Sequence, residues 1–277
     1  MDSNELSIVV VTFKSEEKII TCLKSIPTNI RVVVVENSDN HNFKKKLEDK
    51  FSNVECFLSG SNIGYAAANN LGLSKLKTKF ALVLNPDTEL DINAVNYFYS
   101  FVSQRKDFWL LGPANDQQKD FSSYRSDIIE VKNLKGFAIF LNLEKFENTY
   151  FDENYFLYFE EIDLCRRVEE RGGKIYLNKK ILIKHDGASS VNKFESIELE
   201  KSRNWHWMWS TFYYHKKFKG YLFAFVITFP KLISSLLKTI FYQLIFNSEK
   251  KNIYFCRMSG ILNSMIGKKS WYRPSID

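Results

Sequence analysis

Asp87 follows the apolar run Phe80–Leu84 across the short turn Asn85-Pro86. A carboxylate just past a buried strand, on a turn that Pro86 stiffens, is placed to hold a divalent cation. Mg2+ commonly takes only one or two carboxylates from protein and its other oxygens from water and phosphates. The structural alternative is an Asn-Pro-Asp turn that merely caps the next helix with Asp87 or Thr88. A second acidic group, Glu160, Glu161 and Asp163, opens a helical pattern that Gly172-Gly173 ends. One of these carboxylates suits removal of a proton from a hydroxyl, with the others orienting neighbours. Against that, acids favour helix N-termini, and Asp163 can pair with Arg167 four residues on. His185 stands between a strand-like run and Asp186-Gly187, as a second metal ligand or a structural histidine. Asn62, Gly64, Asn69 and Asn70 crowd amides and small residues around a helix start. That suits a backbone that approaches a phosphate or sugar, or simple turn chemistry.

These groups need a scaffold. Leu6–Val11 and Val32–Val35 are short apolar runs that read as buried strands, and Val54–Leu58 and Phe80–Leu84 read as the third and fourth strands. Helical patterns lie between them: one begins at Ser15, one is Lys-rich, and one runs from Ala66 to Leu76. The alternation predicts an α/β fold, a doubly wound, mostly parallel sheet with right-handed crossovers and helices on both faces. Ligands in such sheets bind outside the carboxyl ends of the strands. Thr12–Ser15, Glu36–Asn40 and Asn85–Asp87 should therefore converge. No G-x-G-x-x-G follows the first strand and no G-x-x-x-x-G-K-[ST] occurs, which disfavours a dinucleotide fingerprint and a P-loop.

From Phe108 to Ser190 strand-like pieces (Trp109–Leu111, Phe137–Leu141, Lys174–Leu177, Ile181–Lys184) alternate with polar stretches. No linker separates this half from the first, so one continuous fold is expected. From Glu195 the chain reads as helical. Tyr221–Phe246 is apolar but interrupted by Pro230, Lys231 and Lys238, so no run reaches the roughly 18–20 apolar residues of a spanning helix. Helices lying in a membrane surface are the expectation, against a packed cap or a dimer interface.

The 277 residues are 45% hydrophobic and 26% charged, which excludes a disordered or collagen-like chain. The net charge of +7 favours a polyanionic partner: nucleic acid, anionic lipid or a phosphorylated small molecule. Cys22, Cys56, Cys165 and Cys256 form no C-x-x-C pair, which argues against structural zinc and for a reducing, cytoplasmic setting. The acidic start Met1-Asp2-Ser3-Asn4-Glu5 does not read as a signal peptide.

Taken together, the motifs resemble the family 2 inverting glycosyltransferases of the GT-A fold, particularly a rhamnosyltransferase-like branch. They are Ser7–Phe13, Val35–Asp39, Asn62-Ile63-Gly64 through Asn69-Asn70-Leu71-Gly72, Leu84–Asp87, Gly136, Phe159–Cys165 and His185-Asp186-Gly187. The resemblance covers roughly Leu6–Ser190 and weakens in the last third. It implies a GT-A domain over 1–194, with a nucleotide-binding half at about 1–107 and an acceptor and catalytic half at about 108–194. A helical region over 195–277 follows. It further implies that Thr12, Glu36 and Asp39 line the nucleotide pocket, with Glu36 near the ribose or base. Asn62, Gly64, Asn69, Asn85, Gly136, Asp163 and Arg167 would serve the nucleotide sugar. Asp87 and His185 would serve Mn2+ or Mg2+ and the diphosphate. Glu161 falls at the family's base position, usually an aspartate, which leaves the base to Glu161 or Glu160. Asn85 replaces the first acid of a full D-x-D.

The implied activity is transfer of a sugar from a dTDP- or UDP-linked donor to a polysaccharide or lipid-linked acceptor at the inner face of the cytoplasmic membrane. A homo-oligomer is compatible with it. The rival class is a non-catalytic relative that keeps the nucleotide pocket or sets the basic, aromatic stretch Trp205–Lys219 on nucleic acid. No nucleic-acid partner is expected, because such a module does not need Asp87, Glu160-Glu161 and His185 at the family's spacing.

Overall fold

The computed structural model describes residues 5–114, 126–185 and 193–274, with backbone alone for 193–196. Met1–Asn4, and the Asp186-Gly187 pair that follows His185, lie outside the described residues. Four strands come first: β1 (Leu6–Thr12), β2 (Arg31–Glu36), β3 (Val54–Leu58) and β4 (Phe80–Leu84). Helices α1 (Glu16–Ser25), α2 (His41–Lys50) and α3 (Tyr65–Leu73) separate them. The strands pair in parallel in the order β3-β2-β1-β4. Successive side chains of a strand point to opposite faces. Ile8, Val10, Val32, Val34 and Leu82 thus pack with Ile19 and Leu23 of α1 and Phe43 and Leu47 of α2. Val9, Val11, Val33, Val35 and Val83 pack with Ala66, Ala68 and Leu73 of α3. Both faces are covered, which is why the centres of β1, β2 and β4 are apolar runs, while the edge strand β3 carries the exposed Glu55.

Beyond β4 the chain continues with β5 (Thr88–Leu90), α4 (Ala94–Gln104), β6 (Phe108–Ala114), β7 (Ile128–Glu130), β8 (Ala138–Asn142), α5 (Glu160–Glu170) and β9 (Lys174–His185). The sheet order is β3-β2-β1-β4-β8-β6-β9-β5, with β7 also on β9. β8 lies antiparallel to both β4 and β6, while β6 and β9 are parallel. The reversal matters for function. An antiparallel β8 brings its beginning, Gly136-Phe137, to the finishing end of β4, where the Asn85 N–H donates to the Phe137 carbonyl at 2.8 Å.

Several local expectations change. Thr88 opens a strand rather than capping a helix. Lys174–Leu177 and Ile181–Lys184 belong to one strand, whose register against β6 shifts between Pro113 and Ala114. α3 ends at Leu73, not Leu76.

Contacts divide the chain into two compact units. One runs to Asp152 and resumes at Glu161 through β9; the other joins Glu153–Glu160 to the C-terminal helices. The second unit is built on α6 (Lys193–Lys219), α7 (Tyr221–Leu244) and α8 (Ser248–Met265). Trp205, Trp209 and Cys256 form its centre, with Tyr213 and Tyr272 against them. A Cβ on Gly260 would stand 2.3 Å from the Trp205 carbonyl oxygen, so α6 and α8 approach too closely there for any other residue. Tyr155 meets Tyr213 edge-on, and Phe156 stacks on His206. Three aromatics of the basic stretch, Trp205, Trp209 and Phe212, are buried, while Trp207 stays exposed. α7 runs through Pro230 without a break. The expectation that this segment is too interrupted to span is therefore corrected: by length and composition the helix is long and apolar enough to cross a membrane. A proline inside a helix removes one backbone donor, and the helix here continues past that loss.

Candidate active site

The residues expected to hold a metal meet at the end of β4. β5 and β9 pair antiparallel with Thr88 opposite His185, which sets the Asp87 carboxylate 3.4 Å from the His185 Nε2. Their side chains are 20% and 27% exposed, buried enough to be oriented and open enough to be reached. The imidazole stacks on Phe137, with centroids 5.0 Å apart and planes 13° from parallel. The preceding residue, Gly136, offers its carbonyl to the Tyr65 hydroxyl at 2.9 Å, and that hydroxyl lies 3.1 Å from Asn85 Oδ1. The Asn85 carbonyl accepts from Thr88 Oγ1 at 2.6 Å, closing the turn around Pro86.

Glu161 completes the circuit. A Cβ built on Gly136 would stand 3.4 Å from the Glu161 carboxyl carbon, so the carboxylate rests over a backbone that carries no side chain. Burial pushes the Glu161 pKa up. Backbone hydrogen bonds at the start of α5 and the Lys135 charge oppose that rise without cancelling it. Glu160 is placed differently. It is buried, and its charge adds to the burial that raises the neighbouring Tyr158 phenol. Tyr158 and Phe159, directly before it, both adopt left-handed backbone angles (φ 70° and 74°) that cost non-glycine residues energy. Their rings are held against Trp207.

A second cluster forms at the ends of β1 and β2. Thr12 lies beside Glu36 in the strand register and is fully buried; its hydroxyl has no partner among the described residues. Glu36 is buried and accepts from Ser38 Oγ at 2.6 Å. Burial raises its pKa, the nearby Glu16 charge adds to the rise, and the Ser38 bond opposes it. Asn37 ties the loops together. Its amide donates to Asn62 Oδ1 at 3.1 Å and to the Gly64 carbonyl at 3.3 Å, while its oxygen accepts from Ile63 N–H and Ser59. Gly64, with φ 89°, is the N-cap of α3. Asp39 is exposed at the rim beside His41.

Other candidates are occupied within the fold. Asn69 is buried and only half used: its amide nitrogen donates to the Tyr65 carbonyl within α3, while its Oδ1 has no partner among the described residues. Asp163 is buried and accepts from Arg167 Nε at 2.6 Å, and Arg167 also donates to the Tyr150 carbonyl. This is the i,i+4 pairing the sequence offered as the structural alternative. Sequence reasoning missed Asn37, Tyr65, Lys135 and Phe137 as parts of the site. Only the antiparallel placement of β8 gives the last two a role, and nothing in their local sequence announces it.

One carboxylate and one imidazole fit a divalent cation whose remaining positions are filled by diphosphate oxygens and water. Among the described residues no group of three or more His, Cys, Asp or Glu gathers, so the protein alone supplies no closed cage. That donor set suits an ion shared with a phosphorylated ligand better than a structural ion.

Comparison with known proteins bears on the family and the fold. Over 220 residues the chain is 25% identical to the low-salt glycan biosynthesis hexosyltransferase Agl10 of Haloferax volcanii, covering 70% of this chain and 71% of that one. In structure it is similar to the mannosyltransferase PcManGT of Pyrobaculum calidifontis, solved with GDP-Man and Mn2+. The TM-score is 0.60 at 10% identity, over 96% of this chain and 88% of that one. It is also similar to S. aureus TarS 1-349 in complex with UDP, with TM-score 0.55 at 14% identity, over 97% and 93% of the two chains. These neighbours share the GT-A fold. The family model for glycosyl transferase family 2 matches residues 7–165, more than half of the chain, and the protein therefore belongs to glycosyl transferase family 2.

Proposed function

We propose that this glycosyltransferase moves a hexosyl unit, with inversion, from a nucleoside-diphosphate sugar to a hydroxyl of a polysaccharide or lipid-linked glycan on the cytoplasmic side of the membrane. Rhamnose on dTDP is the donor to test first and a UDP-linked sugar the second, in keeping with the rhamnosyltransferase-like motifs. The observation that carries the reading is the circuit Asp87–His185–Phe137–Gly136–Glu161, which sets a cation-binding pair and a burial-raised carboxylate around one backbone segment. The hexosyltransferase relative and the nucleotide-bearing structural neighbours support the donor class.

In this reading Glu161, reachable over Gly136, is the base, and Glu160 helps fix the start of α5. The Glu161 carboxylate takes the proton of the acceptor hydroxyl. The acceptor oxygen forms its bond to the anomeric carbon from the face opposite the diphosphate, and the bond to the diphosphate breaks with its electron pair leaving on phosphate. Asp87 and His185 would hold Mn2+ or Mg2+, which when bound offsets negative charge on the leaving diphosphate. Thr12, Glu36 and Asp39 take the nucleoside end. Asn62 and Gly64, fixed by Asn37, present backbone to it, and Asn69 positions α3. Asn85 and Gly136 border the sugar, and the Asp163–Arg167 pair holds α5 in place.

The test is a thermal-shift panel of UDP, dTDP, GDP and CDP, each with and without Mn2+. A ligand at 100 times its Kd stabilises a protein by about 2.7 kcal/mol. Stabilisation by one nucleotide only with Mn2+, followed by turnover of the matching sugar donor, is expected. A folded protein that none of them stabilises would overturn the reading.

A further inference from the structure

α7 is built inside out for water. The residues it turns toward its own unit are small or hydroxylated, Ala224, Thr228 and Ser235, and all three are buried. Both hydroxyls are spent on the helix itself, Thr228 on the Ala224 carbonyl at 2.7 Å and Ser235 on the Lys231 carbonyl at 2.8 Å. The large apolar side chains face outward: Leu222 is 74% exposed, Leu237 60% and Leu244 70%. At about 100° per residue, the exposed Phe, Leu, Ile and Val positions from Leu222 to Leu244 cover an arc of roughly 200°. A surface helix of a soluble protein shows the reverse, an apolar stripe turned to the core. Small residues at helix–helix contacts, hydroxyls bonded one turn back and aliphatics outside are how helices pack when hydrocarbon is the solvent.

Charge is segregated in the same direction. From Lys201 to Asp277 the chain carries thirteen Lys or Arg against two acids, net +11, which leaves −4 for the first 200 residues. No Asp or Glu occurs between Glu200 and Glu249, and Lys216, Lys217 and Lys219 lead directly into α7. Charge also lies on and beside the helix: Lys238 of α7 itself stands 5.0 Å from the Tyr254 ring of α8, and Arg257 of α8 reaches Asn204 of α6 at 2.8 Å. Such flanks do not enter a hydrocarbon core, whereas lysines beside an apolar face match anionic headgroups.

We infer that α7 is the lipid-binding face of this protein, lying in the plane of an anionic bilayer with its outer arc in the acyl boundary. A 200° arc is wider than a single packed partner helix covers, which favours lipid over a second copy of the chain. The inference adds a place of work to the proposed transfer reaction. Vesicle binding needs neither donor nor acceptor, so it is tested apart from catalysis.

The experiment is flotation of the full chain with vesicles of phosphatidylcholine alone and of phosphatidylcholine with about 30 mol% phosphatidylglycerol, whose negative surface attracts basic segments. Wild type should float with the anionic vesicles. The double substitution Leu237→Asp, Ile240→Asp should lower the floated fraction at least about tenfold while keeping the wild-type melting temperature, because both side chains are already exposed. Lys216→Glu with Lys219→Glu should weaken flotation several-fold, as should raised salt. Wild type that does not float, or a Leu237/Ile240 variant that floats equally well, would overturn the inference. So would a wild-type dimer in light scattering that the same variant dissociates while neither form binds vesicles; a second copy would then cover the helix.

Discussion

The Asp87 carboxylate and the His185 imidazole stand 3.4 Å apart because β5 and β9 pair through the residue after Asp87 and through His185 itself. A three-residue strand thus fixes the distance between two groups from distant parts of the sequence. Replacing Asp87 with Ala should abolish the Mn2+-dependent part of nucleotide stabilisation and lower turnover by about 10²–10³-fold, the usual scale for losing one charge-stabilising group. Calorimetric titration of nucleotide with and without Mn2+ checks it; unchanged Mn2+ dependence would remove Asp87 from the metal site.

Glu161 and Glu160 should separate kinetically. Glu161→Gln is expected to lower kcat by about 10²–10⁴-fold with little change in donor affinity. Glu160→Gln should act through stability and the start of α5. Because burial raises the Glu161 pKa, and a base works deprotonated, kcat should fall as pH drops through a value above the ordinary carboxylate range. An acid limb at the ordinary value, or one that survives in Glu161→Gln, would contradict the assignment.

Tyr65 bridges the turn that carries Asp87 and the backbone beneath Glu161. Tyr65→Phe keeps the ring, which lies edge-on to Phe151, and removes only the hydroxyl. A loss of about 1 kcal/mol in stability is expected for the missing hydrogen bond. If the bridge positions the site, kcat should also fall about tenfold while KM for the donor changes less; equal loss in both would mark a purely structural tie.

Glu36 bears a cost of burial. Its folded pKa lies above the ordinary carboxylate value, so the folded chain binds more protons than the unfolded chain between those two values. Stability from this group is present below the unfolded pKa and is lost as pH rises through the folded one. Glu36→Gln should therefore raise the melting temperature at pH 7, with the gain shrinking at acid pH. Nucleotide binding should weaken in the same variant. A melting curve that falls at pH 7 would show that the Ser38 bond outweighs the burial cost.

His206 gives the helical unit the opposite pH response. It is buried between the Tyr272 carbonyl at 2.8 Å and the Ser270 hydroxyl at 2.9 Å, and burial pushes its pKa down to about 3 from 6.5. The unfolded chain then binds the extra proton between those values, so stability falls as pH drops below 6.5. His206→Gln should lower the melting temperature at pH 7 but flatten its decline toward pH 4, as a pH series of thermal melts would show.

Sequence pattern carried the scaffold further than the site. β1, β2 and β4 were legible because strands covered on both faces are apolar at nearly every inner position, and Val32–Val35 has no other use. α4, β5 and β7 were not read: β5 and β7 have only three residues each, too few for a period. β9 read as two pieces because Asn178-Lys179-Lys180 interrupts its apolar run where the register against β6 shifts. Asp87, Glu161 and His185 stood out by residue type and motif, but their proximity follows from the antiparallel course of β8 and β5, which local sequence does not encode. α7 misled through composition alone, since Pro230 and two lysines interrupt an apolar count without interrupting the helix.

The circuit from Tyr65 to His185 also sets an order of assembly. Domains form from the amino end as the chain leaves the ribosome, and β1 to β4 with α1 to α3 already hold two covered apolar faces. Among the described residues His185 ends the last strand, and it joins the circuit only when β9 has zipped onto β5 and β6. A nascent chain short of that point carries the sheet without His185 beside Asp87, so the proposed cation pair forms only once β9 is in place.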